Sequence, residues 1–150
     1  MPRMITVMVL PPGAGPIRTE RIDGDDYREL NRLVRGNLGS CSLPPSLRSQ
    51  NYYAFCDDDA LVRPDRPLDN RYATHLGHAR LAGPVVITRT DYTGETFGLG
   101  RADIASLEMF FLQDPTAEAR RAAQRESQFW IDHPTGQSIE PLNLERRSDA

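Results

Sequence analysis

Between Asp57 and His78 lies most of what this 150-residue chain offers for chemistry. Three carboxylates, Asp57, Asp58 and Asp59, are followed by Arg63, Arg66, Asn70, Arg71, His75 and His78, with the Cys56 thiol just upstream. A metal site would draw on the imidazoles of His75 and His78, spaced i and i+3, completed by a carboxylate or by Cys56. That spacing matches no zinc-finger, zincin or deaminase pattern, so both histidines are read as surface or capping residues. The acidic triplet offers oxygens to a hard cation, but a calcium loop needs a Gly turn and a distant Glu that this stretch lacks. It is read as a solvated turn; alternatively its carboxylates meet Arg63, Arg66 or Arg71, which would fix the loop through ion pairs of small individual worth. What remains is anion recognition. Asn70 and Arg71, with Arg66, His75 and Asp58 around them, form the candidate ligand-binding set, because Arg forks suit phosphate.

Elsewhere the chemistry is sparse. Gly98-Leu99-Gly100 matches half of a dinucleotide fingerprint, yet the third glycine position is Asp103, and a carboxylate at a helix start repels phosphate. There is no G-x-S-x-G elbow, and Cys41 and Cys56 sit in no nucleophile signature and form no C-x-x-C pair. They are read as two buried thiols. No catalytic residue, metal ligand or cofactor is therefore assigned. All 18 basic residues are Arg, which reflects a GC-rich coding bias more than a site, and excludes a Schiff-base or P-loop lysine. A net charge of −3 has the wrong sign for a general nucleic-acid binder. Met4 to Leu10 is too short to span a membrane and makes a poor signal peptide, so a cytoplasmic location is expected.

The positioning elements follow from pattern. Met4 to Leu10 reads as a buried mid-sheet strand and Ile17 to Ile22 as a more polar edge strand. A helix from Asp26 to Arg35 takes Asp26 as N-cap, Glu29 in the capping-box place and Gly36 as left-handed C-cap. It turns Tyr27, Leu30, Leu33 and Val34 inward and Arg28, Arg32 and Arg35 to water. Strands are expected at Leu38 to Leu43, Asn51 to Cys56 and Ala60 to Val62, with a polar loop from Pro44 to Gln50. A short helix over Arg71 to Leu76 ends at Gly77. Leu81 to Leu99 reads as a hairpin turning over Asp91 to Gly94, and is the ribbon on which the rest is built. One helix starts near Ala102 or Asp103. A second runs from Pro115 to about Trp130, capped by Asp114, with a thin apolar face. From His133 the chain reads as a partly ordered tail.

Four stretches together resemble the family called domain of unknown function 3846, common in bacteriophages, actinobacteria and mobile elements. These are Leu33-Val34-Arg35-Gly36-Asn37-Leu38, the Asp57-Asp58-Asp59-Ala60 turn, Pro67 to Thr74, and Leu81-Ala82-Gly83-Pro84-Val85-Val86. The resemblance covers roughly residues 4–104 and departs from the family at Asn37 and Ala60. It implies a small accessory protein of a phage or integrated element and supplies no catalytic residue.

The sequence thus predicts a single α+β domain. An antiparallel or mixed sheet of about five to six strands carries a helix on one face, with residues 1–114 as core and 115–150 as a C-terminal helix and tail. The function expected is non-enzymatic: binding a host or viral protein, in host takeover or counter-defence, with Phe110-Phe111 and Phe129-Trp130 as candidate anchors. Self-association into a homo-oligomer is compatible with this. The alternative is a small-molecule or nucleotide binder with an Arg- and Asn-lined pocket.

Overall fold

The computed structural model describes residues 2–133; the expected tail beyond His133 lies outside the described residues. The β-branched run Val85–Thr90 forms β5, the middle strand of a six-stranded antiparallel sheet. Its neighbours are β1 (Met4–Leu10) and β4 (Tyr52–Asp57), with Met8 and Ala54 both opposite Ile87. Outside these lie β2 (Arg18–Asp23) beside β1 and β3 (Leu38–Cys41) beside β4. The order is β2-β1-β5-β4-β3, with the two-residue β6 (Thr96–Phe97) also paired to β5. The expected mid-sheet place of β1 and edge place of β2 are both found.

Period-two alternation sends the strand residues into two apolar layers. On one face Ile5, Val7, Val9, Ile22 and Val86 meet Leu30, Leu33 and Val34 of helix α1 (Tyr27–Val34). On the other, Met8, Leu10, Tyr52, Ala54, Val85 and Ile87 are covered by Leu47, Tyr72, Leu76, Leu107 and Phe111. Leu47 comes from the short helix α2 (Pro45–Arg48), and Leu107 and Phe111 from α3 (Arg101–Leu112). The sheet is therefore covered on both faces. Each fully buried aliphatic side chain contributes about 1.5–3 kcal/mol, so the double cover is where the stability lies. Helix α4 (Ala117–Asp132) buries Ala119 and Ala123 and lies against the 70s segment at Gly77, where a Cβ would stand 3.2 Å from the Ala122 Cβ and 3.9 Å from the Ala119 carbonyl.

Several local expectations are corrected. Asp26 does cap α1, accepting from the Arg28 N–H at 3.0 Å, but Tyr27 is exposed. The left-handed residue after the helix is Arg35 (φ 62°), not Gly36. Gly36 serves a different need, since a Cβ there would overlap the Asp57 carboxylate. Arg71 to Leu76 is a string of turns instead of a helix, because the Asn70 side chain takes the Tyr72 N–H at 3.0 Å and starts an Asx turn. Residues 60–62 form a turn, with Ala60 N–H donating to the Asp57 carbonyl, and Pro45 at a first-turn position turns part of the expected polar loop into α2. The second hairpin strand stops after two residues because the chain leaves β5 for β1, where Leu99 N–H donates to the Thr6 carbonyl at 2.8 Å. Gly98 permits that approach; its Cβ would come within 2.9 Å of the Thr6 nitrogen. Helix α4 is capped by Thr116, whose hydroxyl accepts from Ala119 N–H at 3.1 Å, and not by Asp114.

Candidate functional site

The five residues singled out from the sequence fall in one region but do not converge. Asn70 is buried and fully engaged: its Nδ2 donates to the Leu10 carbonyl at 2.9 Å and to the Gly83 carbonyl at 3.0 Å, while its Oδ1 holds Tyr72. It fastens the long loop between β4 and β5 to the ends of β1 and β5. Arg71 lies over the Tyr72 ring at 4.6 Å and donates to the Gly13 carbonyl at 2.6 Å. The ring of His75 packs against Tyr72, Phe110 and Phe111, with Nε2 2.8 Å from the Gln113 carbonyl. Arg66 and Asp58 are exposed. Three of the five therefore hold the fold together through backbone carbonyls.

The acidic turn is not simply solvated: Asp57 is buried, and the alternative of an arginine tie is the one found, through Arg63. The Arg63 guanidinium forks onto the Asp57 carboxylate at 2.7 and 3.1 Å, and the backbone N–H groups of Asn37 and Asp59 donate to the same carboxylate at 3.0 Å each. The Arg63 guanidinium, with these two N–H groups, holds the Asp57 carboxyl below its ordinary value of 3.8. Asp58 moves the opposite way, raised by partial burial and by the charges of Asp59 and Asp57.

Beside this turn, under the C-terminal half of α4, is a cavity of about 390 Å³. It is lined by Cys41 of β3, Cys56 of β4, Asp58, His78, Arg80, and Glu126 and Trp130 of α4. Cys41 stands opposite Ala54 and Gly39 opposite Cys56, so the two thiols occupy diagonal positions on the same face of adjacent strands. The Cys56 thiol and burial together push the Cys41 thiol up, while Cys41 favours the Cys56 anion and lowers it. The imidazole of His78 is doubly engaged, Nδ1 with Glu126 at 2.8 Å and Nε2 with the Ser42 carbonyl at 2.8 Å. Neither ring nitrogen is left to take a proton from a thiol, so the cavity lacks the nucleophile-and-base pair of a cysteine enzyme. Among the described residues no group of three or more His, Cys, Asp and Glu can hold a metal ion.

Of the residues singled out from the sequence, Asp58 lines this cavity, whereas Asn70, Arg71 and His75 are bonded to backbone carbonyls elsewhere. Glu126 was missed because nothing local links it to a histidine 48 residues away. The thiol pair was missed because 15 residues separate Cys41 from Cys56; only the antiparallel register brings them together. The Asp57-Asp58 turn and His78 bound the cavity from the segment the sequence favoured.

The architecture thus defines an α+β protein with an open antiparallel sheet and helices on both faces. Residues 5–112 match the model of the domain of unknown function DUF3846, and the chain belongs to that family. The match takes in the whole sheet and α3 and stops before α4. No curated protein and no solved structure matches the chain. No described helix is long and apolar enough to cross a membrane.

Proposed function

We propose that this chain is a non-catalytic accessory protein of a phage or mobile element that works by binding a host or viral protein, with the end of α4 as the docking surface. The observation that supports this reading is the cluster Phe129, Trp130 and Ile131, exposed by 49%, 50% and 67% on the last turn of a helix whose buried face is only alanines. Aromatic residues in such positions dominate binding energetics, and an apolar helix end left to solvent is otherwise a cost. Half-exposed Leu61 lines the cavity with Trp130 and extends the apolar surface across the acidic turn.

The alternative, a pocket for a small anion, has weaker support. Asn70, Arg71 and His75 are committed to backbone carbonyls, which leaves Arg66 and Asp58 from the original set, and of these only Arg66 can attract an anion.

The deciding experiment compares capture by the intact chain with capture by a Phe129→Ala/Trp130→Ala variant from lysates of a bacterial host. The expected result is a specific partner bound roughly thirtyfold more weakly by the variant, as for loss of a hot spot of about 2 kcal/mol, with unchanged far-UV circular dichroism. Equal capture by both proteins, or no partner at all, would overturn the reading.

A further inference from the structure

Cys41 and Cys56 are both free thiols, they share a face of the sheet, and both line the cavity under α4. Their diagonal placement sets the chemistry they suit. Diagonal cross-strand Cα atoms stand about 7–8 Å apart, past the ~7 Å over which a disulfide closes without backbone movement. A cation held between two sulfurs fits a wider gap, because two metal–thiolate bonds of about 2.3 Å each part the sulfurs by about 4.6 Å. Zinc in a structural site wants four ligands, and no group of three or more His, Cys, Asp and Glu is assembled among the described residues. Two thiolates alone suit a soft monovalent ion such as Cu(I).

The geometry points to a two-coordinate dithiolate site for Cu(I), formed by Cys41 and Cys56 on the β3–β4 floor of this cavity. Binding releases both thiol protons to solvent, forms two copper–sulfur bonds and leaves copper in the +1 state, so the bound unit carries one negative charge. Arg80, which also pairs with Asp69 at 3.4 Å, is the arginine lining the same cavity, facing the carboxylates of Asp57, Asp58 and Glu126, of which Asp57 is paired with Arg63 and Glu126 with His78. Trp130, the single tryptophan of the chain, lines the cavity too and reports on its occupancy. The site borders the docking surface proposed above, sharing Trp130 and Leu61 with it, but it needs the two thiols and no partner protein, so it stands or falls separately.

The test titrates the reduced full-length chain with Cu(I), without oxygen, against a coloured Cu(I) chelator. The expected result is one Cu(I) per chain, near-ultraviolet thiolate-to-copper absorption and quenched Trp130 emission, with affinity falling roughly a hundredfold in Cys41→Ala or Cys56→Ala. Because either substitution could unfold the chain, the unaltered protein supplies a second readout: bound Cu(I) protects both cysteines from alkylation by N-ethylmaleimide, counted by mass. Failure to compete with the chelator, unchanged alkylation, or copper binding by Cys41→Ala and Cys56→Ala equal to that of the parent would overturn the assignment.

Discussion

His78 and Glu126 meet at 2.8 Å across 48 residues of sequence, and the same carboxylate accepts the Ala79 N–H at 2.9 Å. This pair fastens the C-terminal half of α4, while Glu118 at its other end accepts from the Ser46 N–H at 3.3 Å and the buried apolar side chains of the helix are the small Ala119 and Ala123. Glu126→Ala removes both hydrogen bonds at once. The expected loss is about 1–2 kcal/mol, at the low end for a charged partner because Glu126 remains partly exposed. Urea denaturation measures the loss, and hydrogen exchange places it, with faster exchange over Ala117–Asp132 and unchanged protection in β1 and β5.

Asn70 is expected to be a stability residue and Arg66 a neutral one. Asn70→Ala strands the Leu10 and Gly83 carbonyls and the Tyr72 N–H, a cost of about 2–4 kcal/mol. Arg66→Ala lies within about 0.5 kcal/mol of the parent, as for an exposed side chain. Thermal melts of the two variants side by side check the contrast.

Arg35 holds a left-handed backbone at φ 62° where a glycine would be at ease. Arg35→Gly is expected to stabilise the protein by roughly 0.5–1 kcal/mol, because the Cβ penalty disappears while the cap bond to the Asn31 carbonyl stays. Gly36→Ala is expected to do the reverse, pushing the Asp57 carboxylate off Arg63. Chemical denaturation of the pair gives opposite shifts in midpoint.

The pH dependence centres on Asp103. Burial opposes its ionisation, but the Gly100 N–H at 2.8 Å, the Tyr52 hydroxyl at 3.0 Å and the Arg89 guanidinium at 3.0 Å outweigh it and hold the carboxyl below 3.8. A carboxyl depressed in the folded state stabilises above its unfolded value and loses that contribution as pH falls through the folded one. The contribution of Asp103 to stability is therefore expected to be flat above about pH 5 and to fall below 3.8. In Asp103→Asn the drop is shallower, as melts from pH 7 to pH 2 would record.

What could be read in advance was what local pattern controls. β1, β4 and β5 show as β-branched or aromatic runs, and α1 shows through Asp26 and the spacing of Leu30, Leu33 and Val34. The resemblance carried by Leu81 to Val86 led to the right family. Features set by distant partners were not legible. Arg71 to Leu76 looks helical until the Asn70 side chain is seen to take the Tyr72 N–H, and Gly36 looks like a cap until Asp57 is seen beside it. The site suffered most for the same reason, since Cys41, Cys56, His78 and Glu126 come from four separate segments.

The strand order also bears on how the protein is made. β1 leaves the ribosome first and finds β2 at once, but its other edge waits for β5, which emerges only after α1, β3, α2, β4 and the long loop. Until then Val7, Met8 and Val9, fully buried in the finished fold, face water or a chaperone on a half-built ribbon. Such non-local pairing slows folding and leaves the nascent chain open to aggregation. Expression yield is therefore expected to depend on growth temperature and chaperone supply more than on any surface residue.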